Sequence, residues 1–289
     1  MTLRGLAGKV AIVTGAAGGL GGATVHRLAE EGVNVVAVDL AESAAKEVAA
    51  AAPGRAIGVG ADVSTEDGVD AYMRAAVGAF GRVDLHHLNA GIAGSLADLV
   101  DVSVDEWEKV MAVNLRGPFL GVRAAFRHYL ERGGVGSIVV TSSIAGLRGS
   151  NDLLAYTTSK HGTVGLVHGA AVYGGPIGVR VNAVAPGIVP TPIFGDAGMA
   201  DMRRRAGTSP LRRAGRPAEV AATVAFLLSD ESSYVTGEIF SVDGGASVQN
   251  TNRRGGGAGL WDVSVTDEAI LDRHRLGAAS QQSSQQAAR

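Results

Sequence analysis

Short runs of β-branched apolar residues alternate with longer stretches of helical period along most of this chain. The runs at 9–14, 33–38, 56–60, 83–88, 136–141, 178–184 and 238–242 are rich in valine and isoleucine and too short for helices, so they predict strands. Between them, helical patterning fills 21–31, 43–51, 65–80, 104–130, 154–172 and 217–228. Buried, valine-rich strands that alternate with helices predict an α/β chain with a parallel sheet covered on both faces. Such a sheet binds ligands beyond the carboxyl ends of its strands, where the strand order reverses. No composition break precedes residue 250, so 1–250 reads as one domain, and no solenoid-type repeat is present.

From Gln249 onward the pattern is lost. Arg253-Arg254-Gly255-Gly256-Gly257 reads as a flexible linker, and 278–289 is rich in Ser, Gln and Ala. Thr266-Asp267-Glu268 can cap and start a short helix reaching about Arg275. Residues 251–289 are therefore expected to be a tail, partly disordered or packed on a neighbouring subunit.

Composition narrows the function. The 42 glycines are about twice the usual share of roughly 7% and imply many tight turns and close backbone approaches. A net charge of −2 gives no basic field for nucleic acid or an anionic membrane. There is no cysteine, hence no disulfide, thiolate metal site or thiol nucleophile. No apolar signal core and no stretch of about 18 apolar residues occurs, so a soluble cytoplasmic protein is expected.

Three features carry candidate chemistry. Tyr156 and Lys160 stand four residues apart on one helix face, where the ammonium should favour the phenolate and draw the tyrosine pKa down toward neutrality. Thr14-Gly15-Ala16-Ala17-Gly18-Gly19-Leu20-Gly21 follows a strand and opens a helix, and glycines at 15, 19 and 21 let a pyrophosphate approach the helix N-terminus. Asp39 ends the next strand, 18 residues after Gly21, where a carboxylate binds the adenosine ribose. It would repel a 2′-phosphate, and no arginine stands at Ala16, Ala17 or Leu40, so NAD is expected over NADP. His86 and His87 are adjacent on a strand and face opposite ways, so each should find its own hydrogen bond rather than share a metal.

With these motifs in order, the chain resembles the short-chain dehydrogenase/reductase family from about Leu6 to Ser247. The resemblance implies a Rossmann-type, doubly wound parallel seven-stranded sheet with helices on both faces. It extends to Asp62-Val63 near the adenine, Asn89-Ala90-Gly91 after the fourth strand, and Asn114 within Val113-Asn114-Leu115. It also covers Ser143, thirteen residues before Tyr156, then Pro186-Gly187-Ile188-Val189-Pro190-Thr191 at the nicotinamide end, and Asp243-Gly244-Gly245. By that resemblance Asn114, Ser143, Tyr156 and Lys160 are the catalytic set. Gly15, Gly19, Leu20, Gly21, Asp39, Asp62, Val63, Asn89, Gly91, Tyr156, Lys160, Pro186, Gly187, Val189 and Thr191 would bind NAD. Tyr156 would exchange a proton with the substrate oxygen that Ser143 orients. Lys160 would lower the tyrosine pKa and hold the nicotinamide ribose, and Asn114 would hold a water in a proton relay. Ser142 is then the structural serine of the pair, and no G-x-S-x-G elbow surrounds either one.

The implied activity is NAD-dependent interconversion of a secondary alcohol and a ketone, by a homotetramer or homodimer. A 3-oxoacyl thioester reductase and a non-catalytic NAD-sensing or scaffold protein are the alternatives. Ile144, Leu147, Leu153 and Ile188 suggest an apolar pocket, and Trp107 reads as core. Segment 192–216 corresponds to the family's substrate loop; its arginines (Arg203, Arg204, Arg205, Arg212, Arg213, Arg216) suit a solvated face or an anionic ligand. The chain departs from the family pattern at His86-His87-Leu88 and at Gly174-Gly175, where glycines should fray the helix end and alter the subunit contact.

Overall fold

The structure, a computed structural model, describes residues 2–150, 152–191, 202, 205–249 and five later positions, 268, 271, 272, 274 and 275. The proposed linker, the start of the tail helix, Arg203 and Arg204 lie outside the described residues. Seven strands, β1 (Val10–Thr14), β2 (Asn34–Asp39), β3 (Ala56–Gly60), β4 (Leu85–Leu88), β5 (Gly136–Thr141), β6 (Val179–Pro186) and β7 (Ile239–Val242), form one sheet in the order β3-β2-β1-β4-β5-β6-β7. Every neighbouring pair is parallel. The order reverses between β1 and β4, which opens a crevice at the carboxyl ends of those strands.

The strands alternate along their length. Ala11 and Val13 join a core with Val25 and Leu28 of helix α1 (Gly19–Glu30) and Val220 and Val224 of α7 (Pro217–Leu228). Ile12, Val36 and Val38 turn to the other face and meet Val69 and Tyr72 of α3 (Glu66–Phe80). Farther along the sheet, Ile138, Val140 and Val181 pack on α5 (Gly117–Glu131) and α6 (Leu154–Gly174) through Phe126 and Val167. Helix α2 (Glu42–Ala51) follows β2. Helices therefore cover both faces, as expected from strands without a polar side.

The structure departs from the expected pattern in three places. The helix expected over 104–130 is broken: α4 (Val104–Met111) passes into a wide π turn at Ala112–Arg116 before α5 begins, with Pro118 in its first turn. Gly174 does not fray α6, which runs through it, and Gly175–Ile177 continue as one tight turn. A Cβ on Gly174 would lie 2.7 Å from the Val179 carbonyl oxygen and 3.0 Å from Phe126, so the glycine serves close packing. Trp107 is half-buried rather than core.

The two histidines of β4 are fully buried and do part to opposite sides. His86 Nδ1 meets the Tyr129 hydroxyl at 2.9 Å, and His87 Nε2 meets Thr141 Oγ1 at 2.9 Å.

Candidate active site

The crevice begins at the glycine turn. Gly15 adopts φ +65°, and a Cβ there would lie 2.8 Å from Ala90 Cα, so only glycine fits between the two loops. A Cβ on Gly21 would fall 2.0 Å from the Gly15 carbonyl oxygen. Helix α1 has Gly18 at its N-cap and no side-chain cap, which leaves its first N–H groups open to an anion. Gly19 and Leu20 form its first turn, with Thr191 packed against Gly19. This cradle fits a dinucleotide pyrophosphate.

Asp39 ends β2, half-buried, and its carboxylate accepts from Ala17 N at 2.9 Å and Ala41 N at 3.4 Å. Asp62 is exposed and accepts from the Ser64 N–H and hydroxyl, which fixes the loop holding Val63. Asn89 ties β4 to the glycine turn: its Nδ2 donates to the Thr14 and Gly15 carbonyls at 3.1 and 3.3 Å. The Thr14 hydroxyl accepts from Asn89 N and Ala90 N. Gly187 lies beyond Pro186 against Asp243, whose carboxylate accepts from Gly245 N and Ser247 N. Val189 and Thr191 are buried.

The π turn places Asn114 at the centre. It is fully buried, exchanges two 2.8 Å bonds with the Ile92 main chain, and donates to Ser159 Oγ at 3.1 Å. A Cβ on Gly91 would lie 3.3 Å from Asn114 Oδ1 and 3.5 Å from Lys160 Nζ, so the two side chains converge on one point. The two serines separate. Ser142 is buried and occupied by the Lys160 carbonyl and the Thr163 hydroxyl. Ser143 Oγ instead accepts from Ala145 N at 3.1 Å and faces the Tyr156 phenol closely enough to favour its ionised form. Leu153, three residues before Tyr156, holds φ +53°, a left-handed conformation that strains a leucine at the entry to α6.

The electrostatics correct one expectation. Burial pushes the Tyr156 phenol up from its ordinary value, and the nearby Ser143 hydroxyl opposes the rise without reversing it. Lys160 does not draw the phenol down. Burial pushes the lysine itself down to about 8, its ammonium is held by the Thr141 carbonyl at 2.8 Å, and it stands 5.6 Å from the centre of the Tyr156 ring. An ammonium already committed to the Thr141 carbonyl and not aimed at the phenol oxygen stabilises a phenolate weakly.

Sequence reasoning missed Thr14, Thr141 and Ser159, which hold the named residues in place. The available signal was a threonine ending an otherwise apolar strand in both β1 and β5. Around the arginine-rich segment, Arg213 forms a two-pronged pair with Glu219, with Arg216 also bonded there, so these two face a local partner.

A family model described as enoyl-(acyl carrier protein) reductase matches residues 15–247. The chain is 45% identical over 242 residues to a cis-4-hydroxycyclohexanecarboxylate dehydrogenase of Sinomonas cyclohexanicum, covering 82% of this chain and 96% of the relative. It is 39% identical over 239 residues to a cyclohexanol dehydrogenase of Acinetobacter sp. strain SE19, covering 82% and 94%. A solved 3-ketoacyl-(acyl-carrier-protein) reductase from Brucella melitensis, complexed with NADH, superposes with a TM-score of 0.79 at 33% identity, covering 84% of this chain and all of the other. The chain belongs to the short-chain dehydrogenase/reductase family.

Proposed function

We propose that this chain is an NAD-dependent dehydrogenase that interconverts a cyclic secondary alcohol and its ketone. The observation that carries the reading is the Ser143 hydroxyl beside the Tyr156 phenol with Lys160 Nζ over the ring, set beside a dinucleotide cradle. Bound nicotinamide would supply the hydride acceptor or donor. Ser143 orients the substrate oxygen, and Tyr156 gives it a proton in reduction or takes one in oxidation. A phenol held neutral by burial suits the proton donor of the reductive direction. Lys160 binds the ribose, and Asn114 holds the relay beside it. Asp39 takes the adenosine ribose hydroxyls and disfavours a 2′-phosphate, so NAD is preferred.

Ile144, Leu147, Leu153 and Ile188 support an apolar substrate, since none belongs to the three core clusters and all keep accessible surface. The two relatives named for cyclohexane-ring alcohols agree with that choice. A cytoplasmic homotetramer or homodimer is the form proposed. Among the described residues no helix is long and apolar enough to cross a membrane. The test is reduction of NAD and of NADP, followed by the absorbance of the reduced nicotinamide, with cyclohexanol, cis-4-hydroxycyclohexanecarboxylate and linear 3-hydroxyacyl thioesters. Turnover of the cyclic alcohols with NAD is expected; turnover confined to thioesters, or preference for NADP, overturns the reading.

A further inference from the structure

His87 sits in the middle of the sheet, in register with Val13 of β1 and Val139 of β5, and is fully buried. Its hydrogen-bond direction follows by elimination. Asn89 Nδ2 points at the Thr14 and Gly15 carbonyls, so Asn89 Oδ1 must be the atom that accepts from the Thr141 hydroxyl at 3.1 Å. The hydroxyl has one proton, and that bond uses it. The contact between Thr141 Oγ1 and His87 Nε2 must then be donated by the imidazole. His87 therefore carries its proton on Nε2, and Nδ1 is a bare acceptor with no partner in the buried sheet. Burial pushes the imidazole pKa down to about 3, so the ring is neutral in ordinary buffers.

An unpartnered buried nitrogen costs stability, and a leucine would fill similar space without it. The chain that leaves from His87 gives a reason for the imidazole. Thr141 holds Lys160 through its carbonyl and Asn89 through its hydroxyl, and Asn89 holds the first residues of the glycine turn. We propose that His87 is a positioning residue of the cofactor site: its Nε2–H fixes the Thr141 hydroxyl on Asn89, and through Asn89 it holds Thr14 and Gly15 while the Thr141 carbonyl stays on Lys160. This rests on the proposed placement of the cofactor between Gly15 and Lys160.

The experiment compares His87→Leu, His87→Gln and Thr141→Val for thermal midpoint and NADH affinity by fluorescence titration. His87→Leu should keep or raise the midpoint yet bind NADH about three- to tenfold more weakly, the worth of one neutral hydrogen bond. His87→Gln, whose amide N–H reaches where Nε2 stood, should recover the affinity. Thr141→Val should weaken binding similarly, and the double variant with His87→Leu should be no weaker than Thr141→Val alone. Wild-type affinity in His87→Leu, no recovery in His87→Gln, or affinity and midpoint falling together would overturn the relay. If His87→Leu does not fold, NMR of nitrogen-labelled histidine in the native enzyme decides. A neutral Nε2–H tautomer supports the relay, and an Nδ1–H tautomer or an imidazolium overturns it. NADH binding unaffected by loss of the Asp39 carboxylate would instead refute the cofactor placement, so the two failures are read separately.

Discussion

Removing the Asp39 carboxylate should reverse the choice of cofactor. The carboxylate has about four lone-pair sites and spends two on the Ala17 and Ala41 N–H groups, which leaves two for a vicinal diol. Hydrogen bonds to a charged group contribute about 1.5–3 kcal/mol each, but water replaces part of that at a half-buried site. A loss of about 2–3 kcal/mol is expected for NAD in Asp39→Ala, or roughly 30- to 150-fold in affinity. The same carboxylate would repel a phosphate near −2 charge at about 5 Å by about 1–2 kcal/mol in a water-like dielectric, and the substitution relieves it. Leu40 is 76% exposed, so Leu40→Arg displaces no core contact and adds a partner for the phosphate. The double variant should shift the NADP-to-NAD ratio of kcat/KM by about a thousandfold or more. The assay is steady-state turnover with both cofactors at one saturating alcohol concentration. A wild type that prefers NADP, or an Asp39→Ala enzyme that keeps its NAD affinity, would refute the reasoning.

Three other variants test separate links. Tyr156→Phe removes only the hydroxyl and should keep NADH binding while kcat falls by about 10²–10⁴; near-normal turnover would remove Tyr156 from the chemistry. Gly174→Ala gains about 1 kcal/mol of helix propensity but forces a methyl against the Val179 carbonyl and Phe126, so a net loss of about 1–2 kcal/mol is expected in urea unfolding. His86 and His87 have native pKa values of about 3 against an ordinary 6.5, so the unfolded chain binds their protons first. Stability should therefore fall as pH drops from 6.5 toward 3, by up to about 1.4 kcal/mol per pH unit for each ring. The His86→Leu/His87→Leu double variant should show a shallower acid limb, and an unchanged slope would place the acid sensitivity elsewhere.

The sheet was legible in the chain because its strands are apolar on both faces and short, leaving no competing helical period. Six of the seven expected strand starts lie within one residue of the observed ones, and β3 and β5 agree at both ends. The π turn was not legible. Its residues keep the apolar spacing of the helices on either side, and the turn coincides with the bonding of Asn114 to the Ile92 main chain, a contact between distant segments. Gly174 was misread for a related reason. Propensity scales measure an isolated helix, whereas this glycine is set by the approach of Phe126 and β6.

The Tyr156–Lys160 pair shows why spacing identifies a site more readily than its charge state. Four residues on a helix bring the groups onto one face, and the ammonium does lie against the ring. The sign of the tyrosine shift depends on something the spacing does not contain, namely how much water reaches either group. Here burial dominates both: it raises the phenol and brings the lysine to about 8, while the Thr141 carbonyl compensates with a dipole rather than a charge. A buried ammonium without a carboxylate acting on it gains from any further oxygen that reaches Nζ, and ribose hydroxyls are such oxygens. Depression of the tyrosine pKa is therefore better assigned to the assembled site than to the protein alone. The residues supply the geometry, and the partners Lys160 meets there hold its ammonium charged against the burial that lowers it.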